Sequence, residues 1–136
     1  MTDILFDQAW NAFWLSEFNR TLGKLVSYKS PGLQFVFNPE IDVLRAQSYL
    51  ALCLYSDANA VVNEFNSRYG RLGEQVKDFV ETNANDLGAF FNRGKKAVGE
   101  PLHTRDLFDQ MLNRFVRSPY FMNLVVAERA VSSENT

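Results

Sequence analysis

His103 is the only histidine in the chain and Cys53 the only cysteine, and these two residues bound the chemistry it can do. A hydroxyl or thiol nucleophile needs a base within hydrogen-bond reach. The single imidazole stands in PLHT beside Thr104, where an exposed or capping histidine is the expectation. One histidine and one cysteine build no zinc cage, and no run of acids has the calcium-loop spacing. Cys53 has no partner for an internal disulfide, and its place in an apolar run predicts a buried small hydrophobe. Carboxylates remain. Glu40 and Asp42 lie two apart and do not share a helical face, whereas Asp106 and Asp109 lie three apart and do, beside Arg105 and Arg114. Converging in a closed polar pocket, those two acids would serve an all-α small-ligand binder or enzyme; on a solvated face they make local ion pairs, which is the expected reading. Gly70 and Gly73 lack the lysine and hydroxyl of a phosphate loop. The expectation is no catalytic residue, no metal and no cofactor.

The elements that would position any site are helices. In residues 38–70, NPEIDVLRAQSYLALCLYSDANAVVNEFNSRYG, Asn38 and Pro39 suit a helix start. Ile41, Leu44, Tyr49, Leu52 and Cys53, with Ala46 between them, recur at helical spacing. Ser56 and Asp57 predict a turn. A second helix follows with Ala58, Val61, Val62 and Phe65 on one side, and Gly70 is expected to close it. Ahead of this hairpin, DILFDQAWNAFWL puts Leu5, Phe6, Ala9, Trp10, Phe13 and Trp14 on one wide face, and FNRTLGKLVSY adds Phe18, Leu22, Leu25 and Tyr28 before Pro31 and Gly32 stop it. A shift of 37 positions lays Leu15 on Leu52, Thr21 on Ala58, Leu25 on Val62 and Tyr28 on Phe65. Two degenerate copies of one antiparallel unit are therefore expected, each hiding its apolar face only against a neighbour. The connection GLQFVFN, with Leu33, Phe35 and Phe37, is expected to be an ordered loop whose aromatics fill the seam.

Residues 72–98 predict one long helix or two in tandem, with a kink near 83–88 where Asn83, Asn85, Asp86 and Gly88 gather. Gly94 and Lys95–Lys96 are expected at its end, and Gly99–Pro101 as a linker. A last helical pair is expected over 104–131. Thr104 is its first cap, Leu107, Phe108, Met111, Leu112 and Phe115 its core face, and Pro119 the start of a helix with Phe121, Leu124, Val125 and Val126 inward. SSENT reads as a frayed tail.

At Ala46, Tyr49, Ala58, Val62, Phe65 and Gly70 the 38–70 stretch resembles a tetratricopeptide repeat, departing from it at Asp42, where the family has a bulky residue, and at Gly70, where it more often has proline. With its lead-in LGKLVSYKSP it is also similar to a subgroup of long tetratricopeptide proteins of predatory and gliding proteobacteria. The resemblance implies an all-α antiparallel helix-hairpin array, here of two degenerate repeats over residues 3–70. It also implies a non-enzymatic scaffold that binds a protein or peptide, self included, in a groove lined by first helices. The matched positions are Glu40, Val43, Gln47, Leu50 and Ala51, and in the earlier copy Asp3, Phe6, Trp10, Phe13 and Trp14. An envelope or periplasmic setting, and a place within a longer protein, belong to the same resemblance.

Bulk properties agree with a binding module. With 136 residues, 46% of them hydrophobic and 14% aromatic, the chain suffices for one core, and a single domain over 1–136 is expected. Fourteen basic residues against sixteen acids leave no excess positive charge for phosphates, so no nucleic-acid partner is expected. Arg45, Arg68 and Arg71 read as surface. No stretch has the length and apolarity of a membrane span or the layout of a secretory signal. A homo-oligomer assembled through exposed aromatic faces is the other reading that the aromatic content allows.

Overall fold

The computed structural model describes residues 2–33, 36–99 and 106–135, and among them every regular element is helical: α1 (Thr2–Trp14), α2 (Phe18–Val26) with a 3₁₀ turn Ser27–Lys29, α3 (Glu40–Ala51), α4 (Tyr55–Thr82), α5 (Leu87–Val98), α6 (Leu107–Val116) and α7 (Pro119–Glu134). The all-α helical array expected from the apolar spacing is what forms. Thr104 and His103 lie outside the described residues, as does Phe35. The chain divides into two compact units, Met1–Arg71 and Leu72–Thr136.

In the first unit, α1 and α2 form one hairpin, and α3 lies across it. Ala9, Leu25 and Leu44 are buried together, with Phe6, Trp10, Phe13, Tyr28 and Ile41 packed around them. Small residues let the helices approach: Ala9 is fully buried and Ala12 nearly so, while the Thr21 hydroxyl is satisfied locally by the Glu17 carbonyl at 3.2 Å. Ser48 is buried by the same device, donating to the Leu44 carbonyl at 2.8 Å.

The turns after α1 and α3 are built alike. Ser16 (φ 61°) and Cys53 (φ 58°) take the left-handed conformation, and they stand 37 positions apart. The Ser16 amide donates to the Phe13 carbonyl and the Glu17 amide to the Ala12 carbonyl, both at 2.9 Å; the Cys53 amide donates to Leu50 at 3.0 Å and the Leu54 amide to Tyr49 at 2.9 Å. Each is a Schellman closure, in which the two residues after the helix end cover its free carbonyls. This geometry corrects the expectation for Cys53: the residue turns outward at the hairpin tip and its thiol is exposed. It also moves the turn. Ser56 and Asp57 lie in the first turn of α4, where Asp57 complements the helix dipole.

Two further boundaries differ. Asn38 does not cap α3 through its side chain; Pro39 takes the cap position, and Asn38 Oδ1 is buried with no hydrogen-bond partner among the described residues. Gly70 does not close the second helix, because α4 continues to Thr82. Its apolar stripe, Phe65, Tyr69, Leu72, Val76 and Phe79, keeps helical spacing across Gly70 and Gly73, and outweighs the ~1 kcal/mol that each exposed glycine costs. The turn comes at 83–86, within the stretch where a kink was expected. There Asn83 Nδ2 donates to the Phe79 carbonyl at 2.8 Å, and the Asp86 carboxylate caps α5 by accepting from the Ala89 amide at 3.2 Å.

The second unit has its own core of Ala97, Val116, Phe121 and Val125, flanked by Phe91, Val98 and Leu112. Phe79 meets Phe90 edge-on at 5.3 Å and Phe108 at 5.7 Å. Lys95 and Lys96 stand in the last turn of α5, which ends at Val98 as expected, and Gly94 just before them is buried: a Cβ built there would stand 2.5 Å from Phe121 Cζ. The glycine is the seat of that ring. Asp106 caps α6, and Ser118 caps α7 with Pro119 in its first turn. On α7 only Phe121 and Val125 of the expected inward set are buried; Leu124 and Val126 are exposed, as is Phe115 of α6. The expected frayed tail is helical to Glu134, since nothing after Pro119 breaks the run.

Candidate functional site

The feature best suited to binding is an open groove of about 240 Å³ between α3 and the first half of α4, lined by Asp42, Val43, Ala46, Gln47, Leu50, Val61, Val62 and Phe65, with almost wholly apolar walls. Its geometry follows from the period of α3. Ile41, Leu44 and Ser48 face α1 and α2, so Val43, Ala46, Gln47 and Leu50 fall on the opposite side. Val43, Leu50 and Val62 keep about half their surface in water (46%, 51% and 47%), although each lies beside other apolar side chains. Such an exposed apolar strip is a place where a second surface gains by covering it.

One edge of the groove is electrostatically tied. Asp42 is buried, and its carboxylate accepts from Arg45 Nη1 at 2.9 Å; the same nitrogen reaches Glu64 on α4 at 3.4 Å. Burial by itself would lower the Arg45 guanidinium, but the hydrogen bonds and charges of Asp42 and Glu64 outweigh it and hold it above its ordinary value. Arg45 is therefore not the surface residue expected from sequence: it clamps α3 to α4 and neutralises a buried acid. Burial raises the Tyr69 hydroxyl pKa above its ordinary value of 10.0, with Arg68 pulling the other way. The Tyr69 ring packs on Phe65 at 4.8 Å and on Phe37 at 6.0 Å.

Of the residues singled out from sequence, Val43, Gln47 and Leu50 come together in this groove. Glu40 is exposed in the first turn of α3 and does not line it. Phe6, Trp10 and Phe13 belong to the core beneath α3. Trp14 is 75% exposed and stacks on Trp10 at 6.0 Å. The α4 wall, Val61, Val62 and Phe65, was absent from the expected site. Its signal lies in the apolar side of that helix, Ala58, Val61, Val62 and Phe65.

The carboxylate pair finds structural employment. Asp106 accepts from the Asp109 amide at 3.0 Å as a helix cap, and the Asp109 carboxylate is ion-paired with Arg93 on α5. Among the described residues no group of three or more histidine, cysteine, aspartate or glutamate side chains converges on a common point, and no helix is long and apolar enough to cross a membrane. Set against known proteins, the chain matches no protein-family model, no curated protein and no solved structure.

Proposed function

We propose that this chain is a non-enzymatic protein-interaction module, built on two tetratricopeptide-like hairpins and docking a protein partner along the α3–α4 groove. The single observation that carries this reading is the groove itself. Val43, Leu50 and Val62 line it while half-exposed, and the two polar members at its edge, Asp42 and Gln47, leave the remaining walls apolar. Apolar anchors entering such a recess supply most of the binding energy in helix-in-groove recognition. The paired Schellman turns and the burial of both Thr21 and Ala58, 37 positions apart, support the hairpin pair.

The test is affinity capture from the source organism's lysate, with the wild-type chain and a Leu50→Asp variant run in parallel. The charged side chain leaves the buried residues of α3 untouched but makes the groove hostile to an apolar anchor. Proteins held by the wild type are expected to be lost from the variant. Identical sets of captured proteins would refute the groove as the binding surface.

A further inference from the structure

Resting on that reading, we propose that the occupant of the α3–α4 groove is helix α7 of a second copy of this chain, inserted as α3 is laid across the first hairpin.

The first hairpin shows what such a groove takes. Phe6, Ala9, Trp10, Phe13, Leu25 and Tyr28 stand 37 positions before Val43, Ala46, Gln47, Leu50, Val62 and Phe65. The earlier six are all in the core of the first unit, where Leu44 is buried against them and Ile41 packs alongside. The occupant there is a helix presenting Ile41, Leu44 and Ser48, at i, i+3 and i+7. The later six form the groove that stays open. The chain leaves α2 and returns as α3 to cover the first groove. In the second hairpin α4 runs on to Thr82 instead, and no described helix of the first unit returns.

Helix α7 carries the surface that fits. Its buried side is Phe121 and Val125, with Glu128 held on that side by Lys95 at 2.9 Å. A quarter turn away, Tyr120, Leu124, Ala127 and Val131 form a second stripe at i, i+4, i+7 and i+11. All four are exposed, Tyr120 to 74% and Val131 to 58%. A stripe of four apolar residues and no charge is an unpartnered helix face. The alternative occupant from a second copy, α1, fits less well. At the positions matching Ile41, Leu44 and Ser48 it carries Ile4, Asp7 and Asn11, so docking it in the manner of α3 would put a carboxylate where Leu44 is buried. A single groove–stripe contact leaves a free stripe on one copy and a free groove on the other, which either pair with each other in a closed two-fold dimer or take further copies.

Sedimentation velocity of the full chain tests this. Over a concentration range of about 1 to about 200 µM, the wild type is expected to pass from monomer to larger species. Leu50→Asp and Leu124→Asp are each expected to weaken that association at least tenfold, because one spoils the groove and the other the stripe. Mixed in equal amounts they retain one good groove and one good stripe between them, and a heterodimer of twice 15.6 kDa is expected. A wild type that stays monomeric throughout overturns the proposal, as does association indifferent to both substitutions. A mixture that fails to pair also overturns it, in favour of like surfaces meeting about a two-fold axis. Circular dichroism checks that each variant is folded, and Val62→Lys and Val131→Lys replace any that is not. A monomeric wild type whose lysate partners still depend on Leu50 removes the second copy as occupant and leaves the interaction module standing.

Discussion

Replacing Gly94 by alanine would normally stabilise a helix, by about 1 kcal/mol, and here the opposite is expected. The added methyl would meet Phe121 Cζ at 2.5 Å and Cε2 at 2.8 Å, well inside van der Waals contact. The ring cannot swing clear, because Phe121 is 5% exposed and hemmed in by Phe91 and Phe115, each at 5.7 Å. Forcing a buried ring aside costs about 3 kcal/mol at the upper end of core overpacking. Set against the propensity gain, the net loss is about 2 kcal/mol. Gly73→Ala on α4 serves as the control: nothing lies within 4 Å of its Cβ position, so it is expected to gain about 1 kcal/mol. Urea denaturation followed by circular dichroism reads both. A second cycle with Phe121→Leu separates clash from context, since the smaller side chain should recover most of the Gly94→Ala loss. Equal stabilisation by the two alanines, or strict additivity with Phe121→Leu, would refute the assigned packing of α5 on α7.

Cys53→Gly is expected to stabilise the first unit by about 0.5–1 kcal/mol, because it removes the penalty on a left-handed β-carbon at the cost of some chain entropy; thermal unfolding checks it, and a loss would mean that the thiol makes a contact the turn needs. Arg45→Met is expected to cost about 3 kcal/mol by leaving the Asp42 charge buried without its partner, and adding Asp42→Leu should restore most of that, as measured by urea midpoint. For Tyr69, a folded-state pKa raised above 10.0 by burial means that the unfolded chain releases this proton first as pH rises. The contribution to stability is thus fully present below pH 10.0 and is lost as pH climbs through the folded value. Tyr69→Phe should therefore flatten the alkaline fall in stability, and an unchanged slope would remove Tyr69 as its source.

Much of this architecture was legible because helices announce themselves by period. The stripes of α1, α2 and α3, the proline at the start of α7 and the polar gap at 83–86 each pointed to the element that formed. What escaped reading depends on neighbours. A glycine in isolation looks like a stop, and Gly70 reads so until the stripe from Phe65 to Phe79 is followed through it. Gly94 does lie near the end of its helix, but its packing role stays hidden until the aromatic ring that needs its bare backbone is known, and that ring comes from a residue 27 positions later. Cys53 looked buried because its apolar neighbours are, whereas backbone hydrogen bonding turns it outward. Of the five α3 residues lining the groove, Val43, Gln47 and Leu50 were readable from the family resemblance. The α4 wall was not, because a half-exposed valine and a buried one look identical in sequence. The α1 aromatics show the converse ambiguity: one pattern serves equally for a core and for a binding face, and only the presence of α3 decides.

Main-chain groups close the hairpin tips at Ser16 and Cys53, so apart from the left-handed backbone of the middle residue the side chains there are little constrained. Leu-Ser-Glu at one tip and Leu-Cys-Leu at the other make the same bend. Substitutions at either tip that keep the middle residue left-handed are therefore expected to leave the bend in place.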